Sequence, residues 1–254
     1  MKAYFFSLLL AFVSTAPAWA QSTTINANDL VARINKGESI SYKNATIVGD
    51  LDLTELANKQ KIKNCNWGST EQFESKVTMP LLFDNCRFTG KFIACKYDEK
   101  IGRNGTTFTA NFQEPVTFTN CTFDGDAGFK YTKFQQLAVF NGSRFNGEVV
   151  FKYTKFLAAV DFSNTQFKKY ADFKYARISE SSSFQQVMFA QYADFKYTQF
   201  DEPTDFQGTR FVNTADFKYT HFPRGSRFDN ARFDGGTEFK YTTLDGQQFA
   251  PAKR

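Results

Sequence analysis

The tetrapeptide FKYT first occurs at residues 129–132 and returns at a fixed interval along the chain. Its copies, counting the variant FKYA at 173–176, begin at Phe129, Phe151, Phe173, Phe195, Phe217 and Phe239. Neighbouring copies are 22 residues apart, and a second phenylalanine series with the same period begins at Phe118. A fixed period of this length indicates a solenoid, in which each repeat packs on the next.

Within each 22-residue unit, the large apolar residues are spaced at alternating steps of five and six. This spacing holds from Phe118 to Leu244, and every residue in the series is phenylalanine except Ile178 and Leu244. The steps match neither the helical period of 3.6 nor the strand period of two. They predict a coil with four short sides, each with one buried ring at its centre. Equivalent residues then stack from coil to coil at about 4.8 Å.

The residues around each ring complete the pattern. In Ala171-Asp172-Phe173 a small residue precedes the ring by two positions and so faces inward with it, while the acid between them faces outward. Pairs such as Asn141-Gly142 follow the rings and suit corners. This unit resembles the pentapeptide-repeat family in its phenylalanine-centred form. The resemblance implies an all-β fold, a right-handed quadrilateral parallel β-helix.

The chain divides into one repeat array and its flanking segments. Residues 1–20 have the pattern of a secretory signal peptide: Lys2, an apolar run, and a cleavage site after Ala20. Cleavage there removes one lysine and no acid, which lowers the formal net charge from +5 to +4. We therefore expect a periplasmic or secreted protein. No later stretch has the roughly 20 apolar residues of a transmembrane span.

Residues 21–40 are predicted to carry a short helix that starts at Asn28 and stops at Gly37, and that covers the open N-terminal end of the array. The array itself is assigned to residues 41–249, and residues 250–254 form a tail. The five-and-six spacing is also present near the start of the array, in Leu51, Leu56, Ile62, Trp67 and Phe73. An insertion is predicted at about 98–106, and its most economical interpretation is a passive loop.

All the cysteines precede the regular part of the array, at Cys65, Cys86, Cys95 and Cys121. Three of them take the small inward position two residues before an aromatic ring. Either they replace alanine there as buried thiols, or two of them on stacked coils form a disulfide, which an exported chain permits. The chain has no C-x-x-C pair, so we expect no zinc site.

Stacking converts repeated outward residues into columns, which are the candidate interaction surface. One column consists of Tyr131, Tyr153, Tyr175, Tyr197, Tyr219 and Tyr241. Beside it runs a lysine column whose first members, Lys130 and Lys152, lack the acid that accompanies the later lysines. Both columns have a purely structural interpretation, as stacked rings and a solvated charged face. In the functional interpretation, the tyrosine column binds polysaccharide and the lysine column binds an anionic glycan or lipid.

Catalytic motifs are missing from the sequence. His221 is the single histidine and replaces residues such as Lys133 and Gln199, and no Gly-rich phosphate loop occurs. The sequence therefore predicts a non-catalytic exported rod that acts as a scaffold or binds another protein. The alternatives are a carbohydrate-binding protein and, as a rival class, a β-helical enzyme similar to polysaccharide lyases.

The expected partners follow from these classes. They are an unknown protein or an envelope glycan, together with a weak homodimer through the C-terminal end. No cofactor and no nucleic acid are expected. Some members of the family imitate DNA, but that use needs an acidic surface, whereas this chain is basic.

Overall fold

The computed structural model of the protein describes residues 23–62, 71–99 and 105–250. Over these residues the chain winds through a stack of four-sided coils, and like positions lie opposite one another, as Phe134 does to Phe156. Within each face the coil-to-coil pairing is parallel. The predicted fold, a right-handed quadrilateral parallel β-helix with a short N-terminal helix, is confirmed.

The strands of the described chain fall into four sheets, here numbered as faces in the order in which a coil passes through them. The first face contains Ile40–Lys43, Leu81–Asp84, Val116–Thr119, Ala138–Val139, Val160–Asp161, Ser182–Ser183 and Thr204–Asp205. The second face contains Thr23–Asn26, Ala45–Val48, Arg87–Phe88, Thr122–Phe123, Arg144–Phe145, Gln166–Phe167, Met188–Phe189, Arg210–Phe211 and Arg232–Phe233.

The third face contains Leu51–Asp52, Phe92–Ile93, Ala127–Gly128, Val149–Val150, Ala171–Asp172, Ala193–Asp194, Ala215–Asp216 and Thr237–Glu238. The fourth face contains Gln60–Lys61, Glu71–Val77, Cys95–Asp98, Thr106–Phe112, Lys133–Phe134, Lys155–Phe156, Arg177–Ile178, Gln199–Phe200, His221–Phe222, Thr243–Leu244 and Gln247–Gln248. With one third-face strand per coil, the described residues form eight coils, so the tube is about 40 Å long.

The core is a column of phenylalanine rings inside the tube. Rings on successive coils stack face to face: Phe129 and Phe151 have centroids 4.8 Å apart and planes within 5°. Rings on opposite sides of the tube meet edge to face, as Phe129 of the third side meets Phe140 of the first side at 5.9 Å and 76°. These rings are fully buried. Both arrangements suit the quadrupole of an aromatic ring, so one residue type fills all four sides without conflict.

The N-terminal end is covered as predicted, by a helix that spans Ala27–Asn35. The side chain of Asn26 caps it by accepting a hydrogen bond of 2.8 Å from the backbone N–H of Asn28. Ala27, Leu30 and Ile34 are buried on its inner side against the first coil. Before the helix, Thr23–Asn26 adds a parallel strand to the second face.

The first coil departs from the predicted spacing. The central residues of the first coil include Tyr42, Ile47 and Val77, because these lie opposite Phe83, Phe88 and Phe112 respectively. The prediction that Leu51 and Phe73 are central residues is wrong. Leu51 is opposite Phe92, which is in turn opposite Ala127, so Leu51 occupies the small inward position and not the central one. Phe73 is opposite Phe108 on an extension of the fourth face. Trp67 lies outside the described residues.

The extension is the main irregularity of the tube and is called the wing. It is built from the strands Gln60–Lys61, Glu71–Val77, Cys95–Asp98 and Thr106–Phe112. The two long strands pair in parallel over seven residues, and the two short ones flank them antiparallel. Cys95–Asp98 pairs antiparallel with Thr106–Thr109, the strands on either side of the segment 98–106 that was assigned to an insertion. Residues 100–104 of that segment lie outside the described residues. Because both coils leave the tube at the same corner, the two extra segments support each other.

Candidate binding groove

The tyrosine column occupies the corner between the third and fourth faces. In the six coils from Phe129 onward the chain turns there through Phe-Lys-Tyr followed by Thr or Ala: the carbonyl of Phe129 accepts a hydrogen bond of 3.0 Å from the N–H of Thr132. Tyr131 adopts φ 63° and Tyr153 φ 60°, the left-handed region that non-glycine residues seldom enter. The tight turn therefore forces each tyrosine into a strained backbone conformation, and stacking of the side chains opposes that cost.

The tyrosine rings are vertical neighbours along the whole column. Tyr131 and Tyr153 have centroids 5.2 Å apart, and Tyr153 and Tyr175 have centroids 4.8 Å apart with planes within 2°. The series continues through Tyr197, Tyr219 and Tyr241. From Tyr153 to Tyr219 each ring is covered on both faces by its neighbours, so solvent meets the ring edges and hydroxyls there. A ligand cannot lie flat on these stacked rings and has to be recognised through their edges and hydroxyl groups.

The lysine column lies against the same tyrosines. Nζ of Lys130 is 4.9 Å from the ring centroid of Tyr131, and Nζ of Lys152 is 5.6 Å from that of Tyr153. These cation–π contacts tie the lysine stems to the corner. Neither of these two lysines is among the residues that line the groove described next.

A groove of about 330 Å³ opens where the wing meets the tyrosine column. On one side it is lined by Gln72, Glu74, Thr107 and Thr109 of the wing, together with Ile62 and Asn111. On the other side it is lined by Tyr131, Tyr153 and Tyr175, with Lys133, Lys155 and Arg177. The groove crosses five coils, which corresponds to about 20 Å at the coil spacing. Two features that the sequence presents separately, the insertion and the tyrosine column, meet here.

Lys133, Lys155 and Arg177 are opposite one another on three successive coils of the fourth face and are called the basic ladder. Nε of Arg177 forms an ion pair of 2.8 Å with Asp201. Among the described residues, no acid lies within 4.0 Å of the amino group of either Lys133 or Lys155. Glu74 is the acid that lines the groove, so the excess charge of this surface is positive.

The backbone under the ladder is fully used by coil-to-coil bonding. The N–H of Lys155 donates to the carbonyl of Thr132 at 2.9 Å, and the N–H of Arg177 donates to that of Thr154 at 2.9 Å. The N–H of Lys133 donates to Oδ1 of Asn111 at 2.7 Å. The floor of the groove therefore offers side-chain hydroxyls, amides and cations to a ligand and leaves no strand edge for a peptide to extend.

A column of acids runs along the third face and is more buried than its outward position suggests. Asp172, Asp194 and Asp216 are buried. Each carboxylate accepts a hydrogen bond from the backbone N–H two residues later in the chain. The N–H of Lys196, for example, donates to Oδ1 of Asp194 at 3.0 Å. Burial raises the pKa of Asp172 and of Asp194. Among these three acids, Asp216 has an amino group within 4.0 Å, that of Lys218 at 3.2 Å.

Two cysteines take the inward position predicted for them. Cys86 and Cys121 are buried, and Sγ of Cys121 donates to the carbonyl of Phe83 at 3.4 Å. The hydroxyl of Ser143 makes the same contact one coil later, with the carbonyl of Phe118 at 2.7 Å. Cys86, Cys95 and Cys121 are free thiols, whereas Cys65 lies outside the described residues.

Sequence patterns pointed to the tyrosine column but not to its ligand-facing neighbours. Lys133 and Lys155 each precede a buried ring by one residue, and Arg177 occupies the equivalent position in the next coil. This position predicts that the side chains face outward, but it gives no sign that they line a groove. His221 lies at the same position further along; it is exposed, with Nδ1 2.8 Å from the hydroxyl of Thr243. It is not among the groove residues.

Over residues 23–62, 71–99 and 105–250, no group of three or more His, Cys, Asp or Glu side chains is arranged to hold a metal ion. The same ranges contain no helix with the length and apolar character needed to cross a membrane.

The protein is a β-helical solenoid built from tandem five- and six-residue units. Its four-sided coils stack around a core of phenylalanine rings, and one corner of the tube carries the groove. The family model described as pentapeptide repeats (9 copies) matches residues 108–155, 151–199 and 195–243, which is slightly more than half of the chain. The chain belongs to the pentapeptide-repeat family. No curated protein and no solved structure matches it.

Proposed function

We propose that the protein is an exported, non-catalytic binding scaffold of the cell envelope, and that it binds an extended carbohydrate chain in the groove. The observation that carries this proposal is the meeting of the wing with the tyrosine column and the basic ladder. Along the rest of the tyrosine column, Tyr197 and the residues beyond it repeat without a wall beside them. An open groove about 20 Å long suits a ligand that is itself linear.

The chemistry of the lining supports a hydroxyl-rich ligand. Tyrosine hydroxyls, the hydroxyl of Thr107 and the amide of Gln72 are donors and acceptors of hydrogen bonds, and the hydroxyl of Thr109, which donates to the carbonyl of Phe73, adds an acceptor. The stacked rings hold the tyrosine hydroxyls in a row, so binding costs little side-chain entropy.

Retention on insoluble polysaccharides tests the proposal. A triple variant with phenylalanine in place of Tyr131, Tyr153 and Tyr175 keeps the stacked rings and removes the groove hydroxyls. The matched control makes the same change at Tyr197, Tyr219 and Tyr241, which lie outside the groove. We expect reduced retention for the first variant and wild-type retention for the second. Equal retention of all three proteins would exclude the groove as a carbohydrate site.

The same assay addresses the rival enzyme class. A scaffold retains the polysaccharide chain at its original length, whereas a lyase-like enzyme shortens it and releases unsaturated ends. Members of the pentapeptide-repeat family are typically non-catalytic, which favours binding without turnover. Export is tested separately: the mature protein from the envelope fraction should begin at Gln21, in agreement with cleavage after Ala20.

A weak homodimer through the C-terminal end is a second proposal, and an observation at that end favours it. Arg232–Phe233 and Thr237–Glu238 are the last strands of the second and third faces, so one edge of each is unpaired in the described chain. Phe249 packs 4.8 Å from Phe228 and covers part of the tube mouth, while Phe233 and Phe239 stay partly exposed. Light scattering at high protein concentration should show a mass above that of the monomer, and a monomeric mass would rule the dimer out.

A further inference from the structure

The groove carries more positive charge than its acids can pair. Lys133 and Lys155 are on adjacent coils in direct register, so their stems start about 4.8 Å apart. In the described structure no acid lies within ion-pairing distance of either. Like charges so placed repel each other, and an anion between them relieves that repulsion. Arg177 extends the row by one coil, although Asp201 holds one side of its guanidinium.

We propose that the groove selects an acidic polysaccharide, a chain of uronic-acid type, with its carboxylates along the basic ladder and its hydroxyls against the tyrosine and threonine hydroxyls. This inference rests on the carbohydrate-binding function proposed above. The ladder presents one cation per coil, so the carboxylates of an extended chain meet a regular row of charges along the groove. Glu74 lies at the wing side of the groove, so the anionic edge of the chain faces the tube and not the wing.

A glycan fits this surface better than an acidic peptide does. The N–H groups of Lys133, Lys155 and Arg177 are already bonded within the protein, so a peptide could not add itself to the face as a strand. The groups left for the ligand are side-chain hydroxyls, amides and cations, and these complement sugar hydroxyls and carboxylates. A polyglutamate competitor separates the two ligands, because it offers carboxylates without sugar hydroxyls.

Polygalacturonate and its methyl ester are the probes for this test, because they share one backbone and differ in charge. We expect wild-type protein to bind polygalacturonate at low salt, to lose binding as salt rises, and to bind the methyl ester at least several-fold more weakly. Polyglutamate should compete poorly. Equal binding of the acid and the ester would overturn the acidic selectivity and leave the carbohydrate proposal standing. Competition by polyglutamate as strong as by polygalacturonate would overturn the choice of a glycan.

Charge-matched variants place the effect in the groove. Lys155→Gln removes one ladder cation from an exposed position, and Lys169→Gln removes one at the corner between the second and third faces. We expect Lys155→Gln to weaken polygalacturonate binding by about threefold, the size of a partly exposed ion pair, and Lys169→Gln to leave it unchanged. Equal losses in the two variants would mean that net charge alone attracts the polymer, which would overturn the assignment to the groove.

Discussion

The ring of Tyr153 lies parallel to that of Tyr175, with their centroids 4.8 Å apart and their planes within 2°. Both residues sit at φ 60°, in the left-handed region. Stacking of the rings therefore stabilises the folded protein, whereas the left-handed backbone conformation destabilises it. Mutation can separate these two contributions to the free energy of unfolding.

Replacing Tyr153 by alanine or by glycine distinguishes these contributions. Both variants lose the stacked ring, but alanine keeps the strained backbone, whereas glycine enters this region without steric cost. We expect the glycine variant to be more stable than the alanine variant by about 1 kcal/mol, measured as the free energy of unfolding in urea. A glycine variant that is less stable than the alanine variant would show that φ at this corner is not strained.

A second prediction concerns a buried hydroxyl that one coil lacks. Oγ1 of Thr154 donates to the carbonyl of Phe129 at 2.6 Å, and Thr198 makes the same bond to Phe173 at 2.8 Å. Ala176 occupies this position in the coil between them and is buried. We expect Ala176→Thr to add the missing hydrogen bond and to raise the free energy of unfolding by about 1 kcal/mol.

The control for this change is Ala171→Thr, in the same coil but at the small inward position of the third face. Ala171 is fully buried there beside alanines of the next coils, so an added hydroxyl and methyl group overpack the wall. We expect this variant to lose stability. If both threonine variants changed stability in the same direction, the proposed hydrogen bond would not be the cause.

The regular part of the fold follows from the sequence because every side of the coil repeats one residue type. From Phe118 onward the spacing of the rings predicts the faces, the register and the inward threonines. The prediction fails in the first coil for a physical reason. Leu51, Leu56, Ile62 and Phe73 happen to keep the five-and-six spacing, although Leu51 takes a small position on the third face and the chain leaves the tube from Gln60 onward to build the wing.

The groove could not be predicted in the same way. Its wing wall comes from two segments about 35 residues apart, which pair where both leave the stack at one corner, and its other wall is the tyrosine column. The orientation of the tyrosine rings, which decides that edges and not faces are exposed, depends on the left-handed turn at Tyr131. The basic ladder gave no signal, because Lys133 and Lys155 resemble any other outward residue until a wall stands beside them.

The buried acid column makes stability depend on pH. Burial raises the folded-state pKa of Asp194, whereas in the unfolded chain an aspartate titrates near its ordinary value of about 3.9. Between these two pKa values the folded state binds more protons, so this residue lowers stability as pH rises. At pH values below both pKa values, Asp194 is protonated in both states and does not change the free energy of unfolding. Above the folded-state pKa, its destabilising effect has reached its full size.

Asp194→Asn tests this assignment, since asparagine stays uncharged and its oxygen can still accept the hydrogen bond from the N–H of Lys196. We expect the variant to be more stable than wild type at pH 7 and equal to it near pH 3. Asp126→Asn, at an exposed corner where Oδ1 accepts from Glu148, is the control for a change of net charge. A gain at pH 7 that is the same in both variants would mean that burial of Asp194 is not responsible.

The last prediction concerns how the phenylalanine column distributes stability along the tube. Phe151 is fully buried and stacks on Phe129 at 4.8 Å and on Phe173 at 4.9 Å. Phe239, on the last coil, is partly exposed and stacks on Phe217 alone, at 5.2 Å. Phe151→Ala should lower the free energy of unfolding by about 3–5 kcal/mol, and Phe239→Ala by clearly less, because its cavity opens to solvent.

Hydrogen exchange should localise each effect, since the coils of a solenoid contact only their neighbours. Phe151→Ala is expected to speed exchange of the amides at Lys155 and Arg177, whose bonds join adjacent coils, and to leave the helix at Ala27–Asn35 protected. Phe239→Ala should affect the final coil alone. Equal stability losses in the two variants would contradict a column in which each ring depends on a neighbour above and a neighbour below.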